Sequence, residues 1–198
     1  VKINHNKKVG SVNFINKNSD MKIGSATNDK NIESNANVII AVDNGNLLNN
    51  GFAKTLIYTT NGADLDTIVT NGRIGDEVGP CDGTNCTGIG PNGRDLTKSV
   101  NVNIDGVITA KSTKGTNTSL INIASLNNDM HVNQIKADGR VILLADDSTT
   151  KGSRAFNIVN RTKDATNPNV EGTGISIIAS GSVGEDNKAL TFRQNGYT

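Results

Sequence analysis

Residues 119–147 read SLINIASLNNDMHVNQIKADGRVILLADD, and three apolar-rich runs are visible in them. Leu120, Ile121, Ile123 and Leu126 form the first, Met130, Val132 and Ile135 the second, and Val141, Ile142, Leu143 and Leu144 the third. The first two runs alternate between apolar and polar residues. Asn-Asn-Asp separates the first pair of runs and Lys-Ala-Asp-Gly the second. Short alternating or apolar runs bounded by Asn, Asp and Gly signal strands, not helices. The strands restart about every ten residues, and much of the chain keeps this rhythm. The expected fold class is therefore all-β, a β-solenoid.

Composition agrees. Only 34% of the 198 residues are hydrophobic, with no Trp, four Phe and two Tyr. A compact globule of this size normally buries several large aromatics, whereas a solenoid fills a narrow core with small aliphatics. Disorder is the competing explanation, but the net charge is only +1 and Val and Ile recur at regular positions. The chain has no basic surplus to neutralise phosphates, which argues against a nucleic-acid partner. No segment approaches 18 apolar residues, so no membrane-spanning helix is expected. The opening VKINHNKK lacks the apolar core of a signal peptide and starts at Val1, so the expectation is a single β-helix segment, 1–198, of a longer protein.

Upstream, strands are expected at Val1–Ile3, Val12–Ile15, Met21–Ile23, Val38–Val42, Thr55–Tyr58 and Asp66–Thr70. Downstream they are expected through residues 99–110, then at Phe156–Val159, Ile175–Ala179 and Leu190–Phe192. The linkers between them are rich in Asn, of which the chain has 30. Asn tolerates the left-handed conformation of tight turns, and identical turn residues on stacked coils can form amide ladders. A frame Gly-x-(Ile/Val)-Gly-acid-acid occurs at Gly72–Glu77 and Gly181–Asp186, with a fainter copy, Met21-Lys22-Ile23-Gly24-Ser25; this suggests a repeat of about 51 residues. At two or three strands per coil, a turn takes about 20–30 residues, giving about seven to ten coils. Loop excursions are expected near 80–98 and 148–154.

Residues 100–192 resemble the passenger repeats of filamentous-haemagglutinin-like, leukotoxin-type adhesins of Gram-negative bacteria. The pieces that carry the likeness are NVNIDGVITAKS, SLINIASLNNDMHVNQIKADGRVILLADDSTT and above all ISIIASGSVGEDNKALTF. Residues 1–80 share only the style. The resemblance implies a right-handed parallel β-helix, exported through an outer-membrane transporter by two-partner secretion or a related route. It also implies display at the cell surface or release, and contact with a host-cell or neighbouring-cell receptor or glycan. Lateral self-association of rods and a role in virulence belong to the same expectation. The family pattern carries no catalytic residues, so none are assigned, and no cofactor or metal is expected.

The candidate sites are few. Cys81 and Cys86 are the only cysteines; a disulfide closing a six-residue loop is the functional reading and free thiols the alternative. Zinc would need two further ligands, and only His5 and His131 are present. Asp64, Asp66, Asp76, Glu77, Asp146 and Asp147 fit no calcium-loop spacing and read as solvated turn acids. Gly93-Arg94-Asp95 has the wrong order for an integrin-type triplet. Asn85, Asn117 and Asn160 match the N-x-(Ser/Thr) glycosylation pattern, which chance supplies often in such a composition. The alternative function is a carbohydrate-active β-helix enzyme such as a polysaccharide lyase or tailspike-like depolymerase, for which Tyr58 and Tyr197 are the only tyrosine platforms.

Overall fold

The computed structural model describes residues 3–6, 10–27, 30–77, 95–113, 119–146, 154–164 and 166–195. These residues form an all-β stack in which every strand-to-strand ladder is parallel. Strands are numbered in chain order. The first sheet stacks β1 (Ile3–His5), β4 (Ile32–Ser34), β7 (Ile57–Thr59), β9 (Val100–Asn103), β11 (Leu120–Leu126), β13 (Arg140–Asp146) and β16 (Gly174–Ala179). The second stacks β2 (Ser11–Lys17), β5 (Asn37–Asp43), β8 (Leu65–Thr70), β10 (Ile108–Ser112), β12 (Met130–Ala137), β15 (Val170–Gly172) and β17 (Phe192–Gln194). Next to β15, β14 (Ile158–Asn160) pairs with the first residues of β12. A short third face holds β3 (Met21–Ile23) and β6 (Leu47–Asn49). The chain is a parallel β-helix, with seven strands in the first long sheet and eight in the second, where β14 and β15 share one coil position, and a coil of the expected length.

The cross-section changes along the stack. Upstream coils have three faces and run 26 or 27 residues, as in Val12 on Val38 and Val38 on Leu65. The third face continues by single bridges from Leu47 to Ile74 and from Ile74 to Ile121. Ile123, two residues further along β11, sits on Val100 of the first sheet. Thus β11 takes over both ladders as one straight strand. The next coil needs only 20 residues, Ile121 to Val141. Removing a corner shortens the turn.

The core is a set of aliphatic columns. Ile40, Thr67, Ala110, Ile135 and Val170 follow one another inside the second sheet, and Ile123, Leu143 and Ile177 inside the first. Burying each Val or Ile contributes about 1.5–3 kcal/mol. The outward residues of β11 and β13 are buried too: Ala124, Leu126 and Leu144 meet Leu96, Ala53 and Ile178 in a second cluster. A strand covered on both faces reads as a continuous apolar run, which is why Val141–Leu144 does not alternate. Phe156 alone of the phenylalanines is buried.

Several strands were legible in the sequence, but β4, β6 and β15 occupy stretches that read as linkers. IES, LLN and VEG are three residues each, too short to show a period. The Gly-x-(Ile/Val)-Gly frame is a local device, not a repeat in register. Gly75 and Gly184 each follow a bridge residue, at φ of 74° and 85°, and each donates its N–H back to the coil below, to Leu47 and Ile158 respectively. But Ile74 stands over Leu47, which stands over Met21, so Gly24 lies two positions out of phase. Val183 sits on β14 of the second sheet.

Candidate functional site

The turns carry the stack's polar order. All six non-glycine residues of positive φ among the described residues are asparagines. Three of them superpose: the Asn44 amide donates to Asn18 Oδ1 at 3.1 Å, and the Asn71 amide to Asn44 Oδ1 at 2.6 Å. A second ladder runs from Asp20 through Asn46 to the Arg73 N–H. A third runs from Asp129 through Asn157 to the Ser182 N–H. In the second and third ladders a side-chain oxygen takes the place of water for a backbone N–H of the next coil.

Of the two excursions expected from the sequence, 80–94 of the first and 148–153 of the second lie outside the described residues. The described residues show how the first is anchored, and how a further loop, at 161–169, is held. The stem of the first departs at Asp76 and returns at Asp95. The Asp76 N–H donates to Lys98 O at 2.7 Å, and the Asp76 carboxylate meets Arg73 at 3.0 Å and Lys98 at 3.9 Å. A buried and a half-buried amide hold the return. Asn101, fully buried, donates to Leu96 O and Phe52 O, and Asn49 donates to Leu96 O, Ser99 O and Phe52 O. On the departing side the Asn122 amide holds Asp76 O.

The loop at 161–169, described except for residue 165, interrupts the strand position shared by β14 and β15. It begins where β12 carries one extra residue, since Ile108 pairs with Val132 but Thr109 with Gln134. The bulged residue is Asn133. Its amide donates to Thr109 Oγ1, its Oδ1 accepts the Lys163 N–H at 2.7 Å, and its carbonyl accepts from the Asn169 amide. From there Lys163 reaches Asp64 Oδ2 at 2.6 Å, 99 residues earlier in sequence. Nothing local in RTKDATNPN signals a partner so distant.

At the far end of the stack, Asn157, Val183, Glu185, Asp186, Leu190 and Phe192 line an open cavity of about 560 Å³. Glu185 is committed there: both its oxygens take the Arg161 guanidinium, at 2.5 and 2.8 Å. That hydrogen-bonded pair holds the Glu185 carboxyl below the usual carboxylate range and pushes Arg161 up. An acid so held remains ionised and is a poor proton donor.

Among the acids singled out in the sequence, Asp64 and Asp76 hold the anchors, and Asp146 is buried, not solvated, at 1% exposure. No group of three or more His, Cys, Asp or Glu among the described residues is placed to hold a metal ion. Tyr58 is capped by the Lys30 ammonium, 3.5 Å from its ring centre. Asp95 is a buried turn residue that accepts from the Thr97 N–H and hydroxyl. Asn160 is buried, donating to Ala189 O and accepting from Thr162 and Asn169. It is thus closed to a glycosylating enzyme in the folded chain. Cys81, Cys86, Asn85, Asn117, Asp147 and Tyr197 lie outside the described residues.

The described residues contain no helix long and apolar enough to cross a membrane. Comparison with protein-family models, with curated proteins and with solved structures gave no match.

Proposed function

We propose that this chain is a passenger segment of a large exported surface protein of Gram-negative bacteria, adhesin-like and non-catalytic. Its work is to hold contact loops away from the cell on a stiff rod. The observation that carries the reading is the anchoring of the stem at Asp76 and Asp95 and of the loop at 161–169. Each is tied across coils by side-chain amides or by an ion pair, so its attachment points move with the rod. A stack whose turns are hydrogen-bonded coil to coil transmits position well, which suits presentation to a receptor or glycan. The sequence resemblance to filamentous-haemagglutinin-like passengers supports the same reading, including export through an outer-membrane transporter.

The test is saturable binding of the fluorescently labelled chain to host cells and to an array of glycans, run beside a turnover screen on acidic and neutral polysaccharides. Binding without turnover is expected. Turnover of a polysaccharide would replace the adhesin by a carbohydrate-active enzyme.

A further inference from the structure

Five asparagines are buried among the described residues, and four of them, Asn101, Asn122, Asn160 and Asn169, place the side-chain amide in hydrogen bonds. Asn31 is the fifth. It is 4% exposed, and its side-chain Oδ1 has no hydrogen-bond partner among the described residues. Its backbone is engaged, since the N–H donates to Leu56 O of the next coil at 3.0 Å. A buried acceptor left unmet has lost its hydration without return. Such groups are rare enough in a folded chain to need a cause.

Asn31 lines a cavity of about 270 Å³ at the upstream end of the stack, beside the corner that leads from β3 to β4. Phe14 of β2, Met21 and Ile23 of β3 and Ile32 of β4 supply apolar walls, and all four pack with the main aliphatic core. Lys22, exposed, is the one charged residue of the lining. Water is a poor occupant. An ordered water needs about two to four polar partners, and Asn31 is the one buried polar side chain in the lining. An apolar cavity of roughly 150 Å³ stays dry and takes up benzene. A cavity of about 270 Å³ has room for a larger guest.

We infer that this cavity binds a small, flat aromatic molecule of two fused rings that carries a neutral N–H or O–H donor. The rings lie against Phe14 and the Met21 thioether, contacts that favour an aromatic over an aliphatic guest. The donor meets Asn31 Oδ1 and supplies the partner that the fold leaves out. Lys22 disfavours a cationic donor, because two positive charges would share one opening. The cavity therefore selects on shape, on ring character and on a single uncharged donor. It uses neither the stem at Asp76 nor the loop at 161–169, so it does not rest on the adhesin reading.

The experiment titrates indole into the full chain and follows the fluorescence of the indole. The sequence has no Trp, so excitation beyond the tyrosine band sees the guest alone. Saturable binding with blue-shifted emission is expected, with a melting temperature that rises with indole concentration. Benzofuran has the same two rings with an oxygen in place of the N–H. It is expected to compete at least about fivefold more weakly, the worth of one neutral hydrogen bond. In Asn31→Leu, indole should weaken by at least about fivefold and the preference for it should disappear. The comparison of the two guests on the unaltered chain needs no variant, so it stands whether or not Asn31→Leu folds. Indole that fails to saturate, benzofuran that binds as tightly as indole, or an Asn31→Leu chain that keeps the preference would each overturn the site. The titration involves no cell and no glycan, so its failure is distinct from a failure of the adhesin reading.

Discussion

The side-chain amide of Asn71 donates to the Oδ1 of Asn44 across 2.6 Å, although 27 residues separate the two in the chain. Both residues have φ near 52°, and below them Asn18 continues the ladder at φ 58°. One residue type thus meets two demands, a left-handed backbone at the turn and a hydrogen bond along the rod. Replacing Asn44 by Ala removes the tolerant backbone and both of its ladder hydrogen bonds. We expect a loss of about 3–4 kcal/mol, the sum of a left-handed penalty of about 1–2 and two hydrogen bonds of about 1 kcal/mol each. Asn44→Gly keeps the backbone and should cost only the hydrogen bonds, about 2 kcal/mol. Chemical denaturation midpoints compare the two.

Beside this ladder the coils approach so closely that a side chain does not fit. A Cβ on Gly72 would lie 1.9 Å from the carbonyl oxygen of Gly45. Gly62, at φ 71°, has open space around the same position. Gly72→Ala should therefore destabilise by more than about 2 kcal/mol, through forced separation of backbones. Gly62→Ala should cost about 1–2 kcal/mol from conformation alone. Equal losses in thermal unfolding would contradict the close stacking.

The anchor of the first excursion predicts a local effect larger than the global one. Asn101→Ala leaves the carbonyls of Leu96 and Phe52 without this donor. Both carbonyls still accept from Asn49, so the loss is that of the two Asn101 hydrogen bonds, about 1–3 kcal/mol together. Amide hydrogen exchange should rise first at residues 95–99, before the strands on either side.

Acid acts on the Arg161–Glu185 pair in a definite direction. The Glu185 carboxyl titrates below its ordinary range because Arg161 binds its charged form. The pair's contribution is then fully present above the unfolded carboxylate value of about 4.3 and is lost as pH falls through the lower folded value. Both groups are substantially exposed, so the effect on overall stability is small. Side-chain NMR should follow Glu185 titrating at lower pH in the wild type than in Arg161→Met. An unchanged titration would show that the pair does not persist in solution.

Much of the architecture could be read from residues 119–147, because β11, β12 and β13 are long enough for their periods to show. The Asn-rich turns were legible for a related reason, since conformational tolerance is a property of the single residue. What escaped was non-local. Three-residue strands such as Leu47–Asn49 gain their identity from the coils above and below. In sequence the buried Asn101 and Asn169 and the half-buried Asn49 look like any other polar residue. The Lys163–Asp64 contact joins residues 99 apart, and no local pattern announces it. Ile15 and Ile68 read as ordinary members of strands until register set them on one outward column with Ala41.

That column also provides the most direct test of the fold beneath every functional claim. In a parallel β-helix, distance along the rod counts coils, at about 4.8 Å each, whatever length of chain each coil contains. Ile15 and Lys136 are four steps apart, and Ile15 and Arg193 six. Spin labels carried on unnatural side chains at these pairs, read by pulsed electron resonance, should give narrow distributions near roughly 19 and 29 Å. Broad distributions, or separations that grow with residue number instead of coil number, would contradict the stacked register and the rod with it.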